Sequence, residues 1–208
     1  MPAGYLWVMA DPGTQATVEE FNDWYDNEHV PLRMQHIPEF LTGTRYVATD
    51  SLHPGWSASY DIESTSLFTD PKYTCLRANR SPREGALVGK LDPLDRRTCE
   101  TLSQTREPFK AEEASSFLCT IAGEEENGDK GLEGVKGWRR TSRHKIYDSL
   151  RTAFAKAPVS NDAPKFVAVY EFEDESYVET PEYKKAIEGA TEVRRWKLYK
   201  ATPNTAQK

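Results

Sequence analysis

Apolar residues and one histidine recur at helical spacing early in the chain. They are Val18, Phe21, Tyr25, His29 and Leu32. The positions between them are polar: Glu19, Asn22, Asp23, Asp26, Asn27 and Arg33. This pattern predicts an amphipathic helix over residues 15–36, which begins after Thr17 because Thr17 and Glu20 have the spacing of a capping box. The apolar face carries His29 toward the interior, where an imidazole needs a hydrogen-bond partner or a chemical role.

Short apolar runs with alternating character predict β-strands, and their surroundings repeat along the chain. Three pairs of residues are each separated by 110 positions: Tyr60 and Tyr170, Pro71 and Pro181, and Tyr73 and Tyr183. Each copy reads as strand, helix, strand, strand, helix, strand. The predicted fold class is therefore α+β, with tandem ferredoxin-like (βαββαβ) repeats packed sheet on sheet as an intramolecular dimeric α+β barrel.

The two predicted copies span residues 1–110 and 111–208, and they are unequal. In the second copy, the segment Glu124–Val135 takes the position of the long helix of the first copy. It is polar and rich in glycine, which predicts a loop or a short helix. A linker is predicted over Ala155–Pro164. The first copy is expected to hold the active site and the second to act as a scaffold, in a monomeric pseudo-dimer or a homodimer.

Composition narrows the class of protein. The 208 residues are 38% apolar and 29% charged, as in an ordinary globular chain. No apolar run reaches the length of a membrane-spanning helix, so we expect no membrane partner. The net charge of −6 argues against nucleic acid. Three distant cysteines without a CxxC pair argue against a disulfide framework or a structural zinc site. The start lacks the features of a signal peptide, so a cytoplasmic location is expected.

Two motifs resemble a known family. They are Phe21-x-x-Trp24-Tyr25-x-x-x-His29-x-Pro31-Leu32 and Phe40-x-x-Gly43-x-Arg45-Tyr46. Over residues 5–105 the chain resembles the EthD-type branch of the dimeric α+β barrel superfamily, particularly its fungal members. The resemblance implies a cofactor-independent pocket between the sheet and the helices. Relatives include polyketide cyclases, decarboxylases of aromatic polyketide acids, lactone isomerases and stress proteins, and some cousins degrade haem.

The candidate site centres on His29, whose imidazole titrates near neutrality and can act as a general acid or base. Tyr25 and Tyr46 are candidates to stabilise an enolate or phenolate. Since neighbouring strand residues point to opposite faces, only one of Arg45 and Tyr46 can share the side of His29. The expected substrate-binding residues are Phe21, Trp24, Arg45, Trp56, Tyr60 and Trp7. Each aromatic residue also has a structural interpretation as part of a core, and Arg45 as a solvated or interface side chain.

The predicted function is that of a cofactor-independent lyase, cyclase or isomerase. It would act by acid/base chemistry on an aromatic polyketide-like or lactone small molecule, for example by decarboxylation or cyclisation in secondary metabolism. No cofactor and no metal are expected, because Glu28, His29 and His36 are too few and wrongly spaced for a known metal site. One alternative is a non-catalytic small-molecule-binding or stress protein. A more distant one is a haem-handling barrel with His29 or His144 as axial ligand, although the basic strand around His144 favours the surface for it.

Overall fold

The computed structural model describes residues 1–126, 131–154 and 163–207. Within these ranges the chain forms eight β-strands. They are β1 (Gly4–Ala10), β2 (Thr44–Ala48), β3 (Trp56–Ile62), β4 (Leu94–Gln104), β5 (Phe117–Gly123), β6 (Trp138–Thr152), β7 (Phe166–Phe172) and β8 (Glu192–Ala201). All neighbouring strands are antiparallel, and the sheet closes into a barrel in the order β1-β3-β2-β8-β5-β7-β6-β4.

The barrel consists of two four-stranded units of the same topology. The first unit has the order β4-β1-β3-β2, and the second has the equivalent order β8-β5-β7-β6. The edge strands of one unit pair with those of the other, β2 with β8 and β4 with β6. This arrangement confirms the predicted α+β fold, in which two repeats close one barrel, although within the described residues only the first unit has a helix between its first two strands. Since both pairs of edges are joined, none of the eight strands is left with an unpaired edge.

The helices cover the outside of the barrel. They are α1 (Val18–Trp24), α2 (Val30–Met34), α3 (Pro71–Ala78), α4 (Pro82–Val88) and α5 (Pro181–Ala186). Short 3₁₀ turns lie at Thr65–Thr69, Ala111–Glu113 and Ser176–Glu179. None of the helices in the described ranges is long and apolar enough to cross a bilayer.

The 110-residue offset of the sequence is visible in the elements. Strands β3 and β7 have bounds that differ by this offset, and so do the starts of α3 and α5. Both helices begin in the same way, with a proline in the first turn and a capping side chain before it. The carboxylate of Asp70 accepts from the Lys72 amide, and the hydroxyl of Thr180 accepts from the Tyr183 amide.

Strand alternation divides the core into three clusters. The barrel interior is filled mainly by Tyr5, Trp7, Met9, Tyr46, Cys99, Leu118, Val167, Val169 and Trp196. The outer face of the first unit packs Leu6, Val8, Ala58, Tyr60 and Ile62 under α1–α4. The outer face of the second unit packs Cys119, Ile121, Ala168, Tyr170 and Phe172 against Leu132, Val135, Tyr177 and Ala186. Most of the residues predicted for the site therefore belong to the outer layer of the first unit, whereas Tyr46 and Trp7 belong to the barrel interior.

The predicted helix over residues 15–36 is not a single α-helix. It begins at Val18, and the Thr17 hydroxyl accepts from the Glu20 amide as the capping box predicted. A π-helical turn over Tyr25–His29 then interrupts it, and the Val30 amide donates to the Tyr25 carbonyl. Pro31 follows directly and has no amide hydrogen to continue the α-helical ladder.

The π turn inserts one residue and changes which side chains are buried. Beyond it, Val30, Arg33 and Met34 are buried, and Leu32 is only half-buried. The prediction that Arg33 lies on the exposed face was wrong, because the extra residue rotates the second half of the helix by about 100°. Val18 was also expected to be buried and is exposed, because it lies in the first turn of the helix.

Two other predicted segments differ or fall outside the described residues. The second helix predicted for the first copy is two helices, α3 and α4, interrupted before Pro82. In the second-copy slot, residues 131–135 bring Leu132 and Val135 into the core without forming a helix. Residues 127–130 of that slot, and 155–162 of the predicted linker, lie outside the described residues.

Candidate active site

A cavity of about 70 Å³ lies between the outer face of the first unit and the helices that cover it. Its floor is formed by Leu6, Val8, Ala58 and Tyr60, which alternate along β1 and β3. The helical segment from α1 to α2 contributes Trp24, Tyr25, His29 and Arg33. Helices α3 and α4 and the turn between them contribute Tyr73, Arg77, Arg80 and Glu84. The cavity therefore combines apolar walls with titratable and cationic side chains.

His29 is paired with Glu84 inside this cavity. Nδ1 of His29 lies 3.0 Å from Oε1 of Glu84, and the two side chains are 15% and 6% exposed. The position of Glu84 follows from its local sequence, because the Ser81 hydroxyl caps α4 by accepting from the Glu84 amide at 2.9 Å. This cap begins α4 with Glu84 in its first turn, where the carboxylate faces the imidazole.

The environment keeps His29 neutral. Burial, followed by the charge of Arg33, lowers the pKa of His29 to about 4, although the hydrogen bond that His29 donates to Glu84 acts in the opposite direction. Burial opposes ionisation of Glu84, but its hydrogen bond to His29 and the neighbouring arginines hold its pKa below the usual range. Since an ionised carboxylate can only accept, Nδ1 carries the proton. Nε2 is then the basic nitrogen of the ring.

Aromatic rings surround the imidazole. The ring centroid of His29 lies 4.5 Å from that of Trp24 and 5.1 Å from that of Tyr25. Tyr60 and Tyr73 reach the same cavity from β3 and α3. Burial raises the pKa of Tyr25 and of Tyr60, so both phenols stay protonated at neutral pH. The cavity thus offers a flat apolar ligand several ring faces and phenolic donors.

Four of the nine predicted site residues line this cavity, namely His29, Tyr25, Trp24 and Tyr60.

A neighbouring packed cluster contains three other predicted residues, Arg45, Phe21 and Trp56. The Arg45 guanidinium donates to Asp26 at 3.0 Å and to Asn22 at 2.7 Å. It also lies within 5.5 Å of the ring centroids of four aromatic residues, Phe21, Tyr25, Trp56 and Tyr199. Arg45, which was predicted to bind substrate, does not line this cavity, and its polar contacts instead join β2 to the helical segment that begins with α1.

Tyr46 and Trp7 point into the barrel interior, on the other side of the sheet from His29. Tyr46 follows Arg45 on β2, and alternation sends the two side chains to opposite faces. The indole of Trp7 donates to the Ser57 hydroxyl at 3.0 Å. The sheet therefore separates both side chains from the His29 cavity. The prediction that Tyr46 acts together with His29, and that Trp7 binds a substrate beside it, is corrected.

His144 was expected at the surface and is fully buried in the barrel interior. Its Nδ1 lies 3.1 Å from the Thr101 hydroxyl and its Nε2 lies 2.9 Å from the Ser142 hydroxyl. Its ring stacks on Tyr5, with centroids 4.2 Å apart. Burial lowers the pKa of His144 to about 3, so it is a neutral core residue.

Sequence reasoning missed Glu84, Arg33 and the other cavity arginines. Glu84 lies 55 residues from His29, on a helix for which the sequence analysis named no site residue. The Ser81-Pro-Arg-Glu84 capping pattern does indicate that Glu84 is held in a first helical turn. The burial of Arg33 has one signal in the sequence. Pro31 interrupts the helical pattern, and such an interruption changes which face the following residues occupy.

The described residues do not fit a haem. A cavity of about 70 Å³ is well below the ~300–1,000 Å³ of typical ligand pockets. Both nitrogens of His144 have hydroxyl partners, so neither nitrogen of that ring is free to bind iron. Among the residues that the structure describes, no three His, Cys, Asp or Glu side chains are grouped as metal ligands.

Solved structures of similar shape place the fold. An anthrone oxidase-like protein superposes with a TM-score of 0.63 at 10% identity, over 100% of this chain and 95% of its own. A proposed monooxygenase from Lactobacillus acidophilus has a TM-score of 0.52 at 10% identity, over 98% and 97% of the two chains. A proposed chlorite dismutase has a TM-score of 0.54 at 12% identity, over 95% of each. The fold is a dimeric α+β barrel.

This dimeric α+β barrel is contained within one chain. By sequence, the chain matches no family model and no curated relative. At identities near 10% the structural matches carry the fold and not the reaction, which has to be argued from the site.

Proposed function

We propose that this protein is a cofactor-independent enzyme that transfers protons on a small aromatic molecule, with His29 as the base. The observation that carries the proposal is the pair of His29 and Glu84 in an aromatic-walled cavity. The substrate class is an aromatic polyketide-like compound or a lactone, and the reaction is a decarboxylation, cyclisation or isomerisation. The EthD-type assignment and a cytoplasmic location belong to the same proposal.

The chemistry follows from the two nitrogens of the imidazole. The carboxylate of Glu84 holds the Nδ1 proton and thereby fixes the tautomer and the orientation of the ring. Nε2 can then take a proton from a carbon acid or a phenol and later return it. A positioned base of this kind contributes about 10²–10⁴-fold to a rate. Tyr25, which contacts the ring, is placed to support an oxygen of the same ligand.

A second candidate begins with the same proton abstraction. A neighbour of matching shape is described as anthrone oxidase-like, and a carbanion formed by a base can also pass electrons to O₂. In that case His29 would still remove the proton, but the reaction would consume oxygen. The two candidates differ in what happens to the carbanion, and this difference is measurable.

The test is turnover of a panel of hydroxylated aromatic acids, anthrone-type carbon acids and lactones by the wild type and by His29→Gln. We expect His29→Gln to lose about 10²-fold or more in kcat/KM while remaining folded. His36→Gln, an exposed histidine outside the cavity, is the control that retains activity. Oxygen uptake separates the two candidates. Binding without turnover of any panel member would instead support the non-catalytic alternative.

A further inference from the structure

Several buried donors of the cavity have no partner. Among the residues that the structure describes, six buried side-chain nitrogen or oxygen atoms lack a hydrogen bond. Four of these atoms belong to residues that line the His29 cavity: Trp24 Nε1, Arg33 Nε, Tyr60 OH and Arg96 Nε. Buried polar groups are normally paired, because an unpaired one retains its desolvation cost. All four are N–H or O–H donors, so what they lack in common is an acceptor.

The cavity also has an excess of positive charge. Four arginines line it, Arg33, Arg77, Arg80 and Arg96, against the single carboxylate of Glu84. Arg96 pairs with Asp148 at 2.9 Å, and Arg80 approaches Glu84 at 4.0 Å. In the described part of the chain, neither Arg33 nor Arg77 has a carboxylate within 4.0 Å.

Arg33 makes this excess costly. It is only 5% exposed, and its one hydrogen bond goes to the backbone carbonyl of His29 at 2.6 Å. A buried guanidinium without a counter-ion in contact is expensive to keep in a fold, and Glu84 acts on Arg33 only at longer range. An anion in the cavity would offset that cost and would supply an acceptor for the free donors.

We propose that the cavity binds the anionic oxygen of a small aromatic ligand, a carboxylate or a phenolate, between Arg33 and the donors of Tyr60 and Trp24. This inference rests on the proposed function, because it concerns the same cavity beside His29. It further specifies that the substrate carries a negative charge. Arg77, which is exposed on α3, marks the mouth of the cavity. Since about 70 Å³ is less than the ~150 Å³ cavity that accommodates benzene, a ring can enter only if α3 and α4 move outward when the ligand binds.

The first experiment compares three probes by calorimetric titration of the full-length protein. They are 2-hydroxybenzoate, its methyl ester, and 4-nitrophenol above and below the pH at which it ionises. We expect 2-hydroxybenzoate to bind at least tenfold more tightly than its ester, and its affinity to fall with added salt. Tighter binding of 4-nitrophenolate than of neutral 4-nitrophenol would identify the phenolate as an accepted source of the charge.

The second experiment uses Tyr60→Phe, which removes only the unpartnered hydroxyl. We expect the melting temperature of the free protein to stay or rise, since a buried unpaired group is lost. The affinity for the bound anion should fall about tenfold at the same time. A purely structural role of Tyr60 would not produce this opposite response of stability and affinity.

The third experiment uses Arg77→Gln, an exposed position at which folding is not at risk. We expect affinity for the anion to fall about fivefold, and its salt dependence to become weaker. Lys185→Gln is the matched control, because it removes one positive charge from α5, the helix of the second unit that corresponds to α3. Its affinity should equal that of the wild type.

The inference is overturned if the ester binds as tightly as the acid, if no anionic probe binds at millimolar concentration, or if both variants bind like the wild type. Its failure is distinct from failure of the proposed function. If an anion binds tightly but no compound is turned over, the anion-binding inference stands and the proposed enzymatic function fails. If Arg77→Gln turns over a neutral substrate at the wild-type rate, the enzymatic function stands and the anion-binding inference fails.

Discussion

At the scale of single residues, the His29 imidazole has opposing neighbours. Burial and Arg33 disfavour its charged form, and Glu84 favours it. The result is a neutral base in a residue that lines a cavity with aromatic walls. Glu84 therefore acts through His29 as a positioning residue, and its contribution is visible in the titration of the imidazole.

Replacing Glu84 by Gln should lower the pKa of His29 further, because the group that favours the imidazolium is removed. The midpoint of the His29 ring signals in an NMR titration should therefore move to lower pH, and the acid limb of activity should move with it. Activity at neutral pH should fall about tenfold, since the ring is less basic and less well oriented. Glu28→Gln is the control, as Glu28 accepts from Ser81 and not from His29. A rise in the midpoint would contradict the role of Glu84.

The two buried histidines should make stability depend on pH. Their pKa values are about 4 for His29 and about 3 for His144, both below the unfolded value of ~6.5. The unfolded chain therefore binds more protons below pH 6.5, and stability falls as the pH falls through this window. Between pH 7 and 5 each histidine should account for about 2 kcal/mol of this loss.

Urea unfolding of His144→Asn at the two pH values checks this expectation. The variant should be less stable at pH 7, because it loses buried contacts, but its further loss on going to pH 5 should be about 2 kcal/mol smaller than that of the wild type. His36→Asn, at an exposed side chain outside the core, is the control for the loss of a histidine. An unchanged pH dependence in His144→Asn would show that His144 is not held neutral.

At the scale of elements, the helical segment over the first unit is placed by its contacts with the sheet. The guanidinium of Arg45 reaches from β2 to Asn22 and Asp26 and packs among aromatic rings. Gly43 lies so close to α2 that a Cβ would be 2.7 Å from the sulfur of Met34. The Gly-x-Arg part of the motif therefore explains how the helices dock, and docking in turn delivers His29 to the cavity.

Replacing Arg45 by Met should destabilise the protein by about 2–3 kcal/mol, because Asp26 and Asn22 lose a buried partner. Lys200→Met is the matched control. Lys200 also pairs with Asp26, at 3.1 Å, but it is 43% exposed, so its loss should cost less than about 1 kcal/mol. Chemical denaturation measures both values. Equal, small effects would return Arg45 to the list of candidate ligand-binding residues.

At the scale of the whole molecule, two similar units close one barrel through equivalent edges. Strand β2 pairs with β8, and β4 pairs with β6, so each unit offers the same two edges to the other. The covers of the units differ, since α1, α2, α3 and α4 lie over the first and α5 over the second. One ligand per chain is the stoichiometry that this asymmetry favours.

The predicted division at residue 110 can be tested with residues 1–110 alone. This fragment retains β1–β4 but leaves β2 and β4 without their partners. Because the two units have the same topology, a second copy of the fragment 1–110 can supply the missing edges. We therefore expect a symmetric homodimer, which light scattering would detect. Residues 111–208, which lack the cover of α1–α4, serve as the comparison. A folded monomer of residues 1–110 would show that closure of the barrel is not required.

The sequence alone determined the repeat, the succession of strands along each unit and the aromatic helical segment that carries His29, because these depend on local periodicity and on spacing. It also determined that Tyr46 and Arg45 face opposite ways. Only the tertiary structure decided which face each occupies, that a π turn at Tyr25–His29 buries Arg33, and that Glu84 comes from 55 residues away to hold His29. The physical reason is that local patterns record which side chains avoid water, whereas the partners of a buried charge are set by how distant elements pack.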